Sequence, residues 1–189
     1  MPLNIYLMSH PIIKQLSYQI TKKENNKQIV NHHHYKNIGI LLIYETIRQW
    51  IELQNIYIKQ IHSIKEICLF NEQESYIIIT DLSESYHMIS EIILLLPNVS
   101  LHHISLIEKE QVIYNNLNNL ITDDKKIIFI QKSLNNYFLI QILDYLLSKK
   151  HVKISQIKII CIICDNKIIE KIGYKYPNLN IYTTKIQKK

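Results

Sequence analysis

Several groups of residues carry side chains that could do chemistry. His32-His33-His34 puts imidazoles in a row, and Cys161-Ile162-Ile163-Cys164 places thiols at a redox spacing. Glu84 with Glu91, and Asp123 with Asp124, are paired carboxylates, and Lys132-Ser133 sets an ammonium beside a hydroxyl. A metal site needs ligands that converge on one ion. Neighbouring histidines diverge, and no cysteine or carboxylate lies near them at ligand spacing. The run therefore reads as a polar loop or helix start, and no metal is expected. The two cysteines sit in an apolar run, not at a helix N-terminus, and the period of a strand would turn them to opposite faces. They read as buried packing residues. The carboxylate pairs read as solvated helix and loop residues, so no catalytic residue is assigned. Lys132-Ser133 ahead of a helix could still hold an anion through its hydroxyl and free N–H groups.

These residues sit in a chain of 189 residues, 47% hydrophobic, with a net charge of +6. That length fits one domain with a sizeable core, spanning residues 1–189. The lysines are scattered and not gathered into a stripe, so nucleic acid is not expected as a partner. The mixture of tyrosine and lysine lacks an aromatic-basic sheet motif for RNA. Apolar runs such as residues 157–164 are far shorter than the ~18–20 uncharged residues of a membrane span. The N-terminus lacks the basic-then-apolar pattern of a secretory signal, and the cysteine usage fits a reducing compartment. Glycine occurs only at Gly39 and Gly173, which bears on chemistry, because close backbone approach to a phosphate usually needs it.

Isoleucine is so frequent that hydrophobic periodicity is blurred, but an order of elements emerges. After a polar stretch at 21–28, helices are predicted at 37–53, 83–96 (stopped by Pro97), 134–148 and 167–173. Strands are predicted at 76–80, 101–107, 126–130, 157–163 and 179–184, with turn chemistry at 115–119. Continuous apolar strands alternating with helices predict an α/β fold, a mostly parallel sheet flanked by helices. Ligands of such sheets lie beyond the carboxyl ends of the strands. Residues 80–85, 107–110, 131–139 and 164–168 are the segments to inspect.

With those segments aligned, the chain resembles the uracil phosphoribosyltransferases. Ser9-His10-Pro11-Ile12-Ile13-Lys14-Gln15-Leu16 is similar to that family's opening His-Pro-Leu with a following Lys-Leu pair. Leu41-Leu42-Ile43-Tyr44-Glu45-Thr46-Ile47-Arg48 resembles its Leu-x-Ala-Tyr-Glu-Ala-Thr-Arg helix. Leu96-Pro97 with His103-Ile104-Ser105-Leu106, and then Tyr176-Pro177-Asn178-Leu179-Asn180-Ile181-Tyr182-Thr183, resemble its Leu-Pro, His-Ile-Gly-Leu and His-Pro-Asp-Val-x-Ile-Tyr-Thr. The pieces run in order from about Ser9 to Ile186. The resemblance implies a type I phosphoribosyltransferase-like fold and, for the family, transfer of ribose 5-phosphate from phosphoribosyl pyrophosphate to uracil, a pyrimidine-salvage reaction.

The residues which serve that reaction differ. The family's phosphate loop, Asp-Pro-Met-Leu-Ala-Thr-Gly-Gly-Ser, corresponds to Gln131-Lys132-Ser133-Leu134-Asn135-Asn136-Tyr137-Phe138-Leu139. The acidic residue is Gln131, and the glycines are Tyr137 and Phe138, whose rings are expected to fill the cradle. The arginine of Pro-Ile-Leu-Arg-Ala-Gly corresponds to Ser83, beside Glu84, and that of Gly-Leu-Tyr-Arg to Glu108. The uracil-reading tail is expected to be lacking. Ser83, Glu108, Gln131, Lys132, Ser133, Asn136, Tyr137 and Phe138 are thus vestigial donor-site positions. The expectation is a homologue without activity, with Mg²⁺ needed only if the transferase survives and with poor binding of phosphoribosyl pyrophosphate and uracil. The alternatives are an active transferase with a remodelled site, or a non-catalytic nucleotide- or partner-binding module, the partner including a second copy. Abundant isoleucine, asparagine, lysine and tyrosine fit an AT-rich genome such as that of a red algal plastid. The expected location is the plastid stroma if organelle-encoded and the cytoplasm otherwise.

Overall fold

The computed structural model describes residues 3–22, 28–105, 117 and 125–187. Six strands form one parallel sheet: β1 (Asn4–Leu7), β4 (Tyr76–Thr80), β5 (Val99–His103), β6 (Lys126–Leu134), β7 (Ile157–Asp165) and β8 (Asn180–Gln187). Their order is β1-β8-β7-β6-β4-β5, every pair parallel. Helices α1 (Pro11–Thr21), α2 (Gln28–Ile47) and α3 (Leu82–Ile89) cover one face. Helices α4 (Phe138–Lys149) and α5 (Asn166–Lys175) cover the other. The predicted α/β class and the buried strands at 76–80, 126–130 and 157–163 are what the structure contains.

Strand alternation makes the two cores. Ile77, Ile79, Ile127, Phe129, Ile157 and Ile159 point to α4 and α5, while Tyr76, Ile78, Ile128, Ile130 and Ile160 point to α1–α3. Because both faces are covered, each strand reads as a continuous apolar run. Near the carboxyl ends this alternation breaks. The ladders omit the pairs 132–162 and 162–184 between otherwise continuous partners. The Ile162 carbonyl instead accepts from the hydroxyls of Thr183, at 3.2 Å, and Thr184, at 2.7 Å. Beyond the break Leu134, Cys164 and Ile186 all face α4 and α5. The expectation that Cys161 and Cys164 lie on opposite faces is thereby corrected. Both are buried on the same side, and hydrogen bonding to Cys161, then burial, pushes the Cys164 thiol up.

Several boundaries differ from those predicted. The helix expected at 37–53 is α2, Gln28–Ile47, and the residues after it turn into a hairpin that was not predicted, β2 (Leu53–Lys59) paired antiparallel with β3 (Ile64–Phe70). Nearly all of that hairpin is exposed, so the usual signal of one buried face is absent. The helix expected at 83–96 divides into α3 and a short 3₁₀ turn, Ile92–Leu94. β1 and α1 were also unpredicted. The helix expected at 134–148 starts later, at Phe138, because β6 runs on through Leu134 to pair with Cys164. Glu108, residues 106–110, 115, 116, 118 and 119, and Asp123 and Asp124 lie outside the described residues.

Helix α2 lies close against α3 at Gly39, where an added Cβ would meet the Met88 carbonyl oxygen at 2.0 Å.

Candidate functional site

The order of the sheet marks one place for a ligand. From β4 the chain moves outward to β5 and then returns on the other side of β4 to β6, so the connections diverge between β4 and β6. Crevices form at such a switch point, beyond the carboxyl ends. A cavity of about 660 Å³ opens there, lined by His32, Tyr35, Ser83, Glu84, His87, Lys132 and Ser133.

Each lining residue arrives for a local reason. Asp81 caps α3: its Oδ1 accepts from the Ser83 backbone N–H at 2.9 Å and from the Ser83 hydroxyl at 2.6 Å. The Leu82 N–H donates to His103 Nδ1 at 3.1 Å. Thr80 ties β4 to β6 through the Ile130 carbonyl, at 2.6 Å. The break in alternation at Lys132 brings both Lys132 and Ser133 to the α2 side, where an unbroken strand would show only one of them. Lys132 Nζ then lies 4.6 Å from the Tyr35 ring centroid, a cation–π contact.

His32 of α2 and His87 of α3 face each other with ring centroids 3.8 Å apart. Desolvation, and then the charge of His32, hold His87 below the usual imidazole range. Lys132 and Glu84 place one charge of each sign on the same wall. His32, Tyr35 and His87 were not expected as partners, although His32 and Tyr35 are three apart on one helix and therefore neighbours on its face. The three consecutive histidines diverge as expected: His34 keeps its Nδ1 buried while His32 lines the cavity.

The expected site residues separate. Ser83, Lys132 and Ser133 line the cavity. Lys132 and Ser133 do so from a strand end and not from a helix start, which corrects the reading of an anion held by helix N–H groups. Gln131 and Asn136 each keep a side-chain oxygen buried without a hydrogen-bond partner among the described residues. Tyr137 and Phe138 do not fill the cavity, and this too corrects the expectation. Tyr137 lines a groove with α5, its ring 3.9 Å from Lys171 Nζ, and Phe138 packs on the α4–α5 core. The late start of α4 turns both rings away. Glu91 is drawn off to Lys36, at 2.7 Å.

Mg²⁺ on a diphosphate keeps several waters and takes its other ligands from the phosphates and from one or two protein carboxylates. This cavity offers Glu84 alone, and among the described residues no three His, Cys, Asp or Glu side chains converge. The arrangement offers a small anion the Lys132 ammonium and the Ser133 hydroxyl.

Comparison with known proteins agrees with the fold. The family model of uracil phosphoribosyltransferase matches residues 7–189. A uracil phosphoribosyltransferase homolog of Porphyra purpurea is 28% identical over 98% of this chain and 89% of its own length. The uracil phosphoribosyltransferase of Synechocystis sp. is 22% identical over 97% of this chain and 87% of its own. A solved structure of an Aquifex aeolicus protein superposes with a TM-score of 0.72 at 17% identity, covering 98% of this chain and 88% of that one.

Proposed function

The chain belongs to the uracil phosphoribosyltransferase family, and on that premise we propose that it has lost the transferase reaction and keeps the fold with a weak anion-binding cavity. One observation carries this reading. Ser83, which stands where the family has a pyrophosphate-binding arginine, gives its hydroxyl to Asp81. The cation that does reach the cavity, Lys132, lies over Tyr35 on a wall that also carries Glu84. Breaking the bond to pyrophosphate needs preorganised positive charge where the leaving group develops its own. Losing even one such donor typically costs about 3–4 kcal/mol of transition-state stabilisation.

The test is formation of UMP from uracil and phosphoribosyl pyrophosphate with Mg²⁺. No product is expected, and turnover within about a hundredfold of an ordinary ~10 s⁻¹ overturns the proposal. A titration should place phosphoribosyl pyrophosphate weaker than about millimolar; micromolar affinity favours a remodelled, working transferase.

The exposed β2–β3 hairpin supports a second copy as partner. Ile56, Ile58, Ile64 and Phe70 are exposed on it, and Ile61 at its tip is 94% exposed. Sedimentation showing a monomer at micromolar concentration argues against that partner. The abundance of isoleucine, asparagine, lysine and tyrosine, residues with AT-rich codons, supports the plastid stroma as location, which fractionation of the source cells tests.

A further inference from the structure

At the amino-terminal edge of the sheet, the end away from the switch point, a second cavity of about 530 Å³ lies among Asn4, Tyr6, Trp50, Lys158, Asn180 and Tyr182. Lys158, the second residue of β7, is only 3% exposed. Its Nζ donates to the Thr46 carbonyl at 2.6 Å and lies 4.2 Å from the Trp50 ring centroid and 5.4 Å from that of Tyr182. Tyr6 stacks on Tyr182 at 4.7 Å.

A neighbouring lysine supplies the contrast. Lys158 donates to the Thr46 carbonyl in the last turn of α2, where a cation suits the helix end, and Lys126 donates to the Trp50 carbonyl just beyond that helix, at 2.5 Å. Lys126 also has a counter-charge, Glu74 Oε1 at 2.6 Å. Among the described residues Lys158 pairs with no carboxylate, and the charge that acts on it is Lys126 itself. Capping α2 therefore accounts for one of its three N–H donors and not for an uncompensated buried cation, which is costly. The free space beside it is bordered by the rings of Tyr6, Trp50 and Tyr182 and by the polar side chains of Gln49, Ser155, Asn178, Asn4 and Asn180, the last two bonded to each other at 3.1 Å. Three ring surfaces beside a charged group and convergent polar side chains suit a small molecule that is flat at one end and anionic at the other.

We propose that this cavity binds a small aromatic carboxylate, its carboxylate on Lys158 Nζ and its ring against the Tyr6, Trp50 and Tyr182 surfaces. The charge missing beside Lys158 is supplied by the ligand, and the exposed flank of Tyr6 forms the mouth.

Calorimetry of the full chain with benzoate, acetate and inorganic phosphate tests this. Benzoate is expected to bind at about 1 mM or tighter, at least tenfold better than acetate or phosphate. Lys158→Met, which keeps the length of the side chain, should weaken benzoate at least tenfold. Tyr6→Ala, at a half-exposed position outside the core, should bring benzoate down to the level of acetate. Absence of benzoate binding, equal affinity for the three anions, or benzoate binding unchanged in either variant overturns the proposal. Should Lys158→Met fail to fold, the Tyr6→Ala comparison decides alone.

Discussion

The two ends of the parallel sheet were built to different standards. In the interior Ile77, Ile127, Ile157 and Ile181 are fully buried, and at the amino-terminal edge Lys126, unlike its neighbour Lys158, finds a counter-charge among the described residues, Glu74, with Trp50 and Tyr76 also within reach. At the carboxyl ends between β4 and β6, the cavity wall is a serine committed to a helix cap, a lysine over a tyrosine and a lone glutamate. Packing constrains every residue of a strand on both faces. Ligand binding constrains only a few loop positions, so a chain can lose the second and retain the first.

The largest expected effect is therefore in the sheet. Ile128 is fully buried in the centre of β6, facing α2. Ile128→Asp places an unpaired carboxylate there at a cost of several kcal/mol, against a total stability of ~5–15 kcal/mol. The variant should be unfolded by circular dichroism. A melting curve like the parent's would mean that β6 is not a buried central strand.

Next comes the buried lysine at the amino-terminal edge. Burial, and then Lys126, push Lys158 from 10.5 down to about 8. Between those values the unfolded chain holds a proton that the folded chain has released, so stability rises with pH across that window. At neutral pH the shift corresponds to about 3 kcal/mol of destabilisation. Lys158→Met should raise stability at pH 7 by about 1–3 kcal/mol, since it also gives up the bond to Thr46. The gain should shrink towards pH 10.5. Taking the variant minus the parent cancels the buried tyrosines, of which Tyr182 is pushed up to about 12 by burial and then Tyr6. Denaturant melts of both proteins at pH 7 and 10 measure it, and a difference independent of pH contradicts it.

How far the sequence carries differs between the same two regions. Runs such as Ile157–Ile160 announce a covered parallel strand, and β4, β6 and β7 were legible from composition alone. The β2–β3 hairpin was not, because its exposed isoleucines match no one-faced pattern. Nor could the face of Cys164 be read, since that depends on a break at Ile162 stabilised by Thr183 and Thr184 from another strand. In the cavity, Ser83 and Lys132 were found by resemblance to a motif. His32 and His87 were missed, because only the packing of α2 on α3 joins positions so far apart in the chain.

That packing yields a third prediction. At Gly39 the added methyl of Gly39→Ala would meet backbone, the Met88 carbonyl, which cannot swing aside as a side chain would. Helix α3 must move, with overpacking of about 1–3 kcal/mol and a fall in Tm of about 2–4 °C per kcal/mol. Because α2 and α3 carry His32 and His87, the two rings should separate as well. NMR of the imidazoles reads this. Unchanged histidine shifts alongside a lowered Tm would show that the strain is relieved elsewhere.

The smallest effect is expected where the family's glycines once suggested the greatest disturbance. Tyr137 is 49% exposed, and its main contact is the cation–π pair with Lys171, worth about 0.5–1 kcal/mol at an exposed site. It caps α4 without a side-chain hydrogen bond, and glycine is acceptable at that position. Tyr137→Gly should therefore cost no more than about 1 kcal/mol. Phe138 lies against the α4–α5 core, so Phe138→Gly should cost more, about 1–2 kcal/mol from partial loss of its burial. Neither change, nor both together, should produce UMP, because Ser83 stays bound to Asp81 and the cavity gains no cation. Melting curves order the two variants, and the product assay tests the pair. A larger loss at Tyr137 than at Phe138 would place the tyrosine ring inside the molecule. A gain of UMP from the double glycine variant would show that the loop alone held the reaction back.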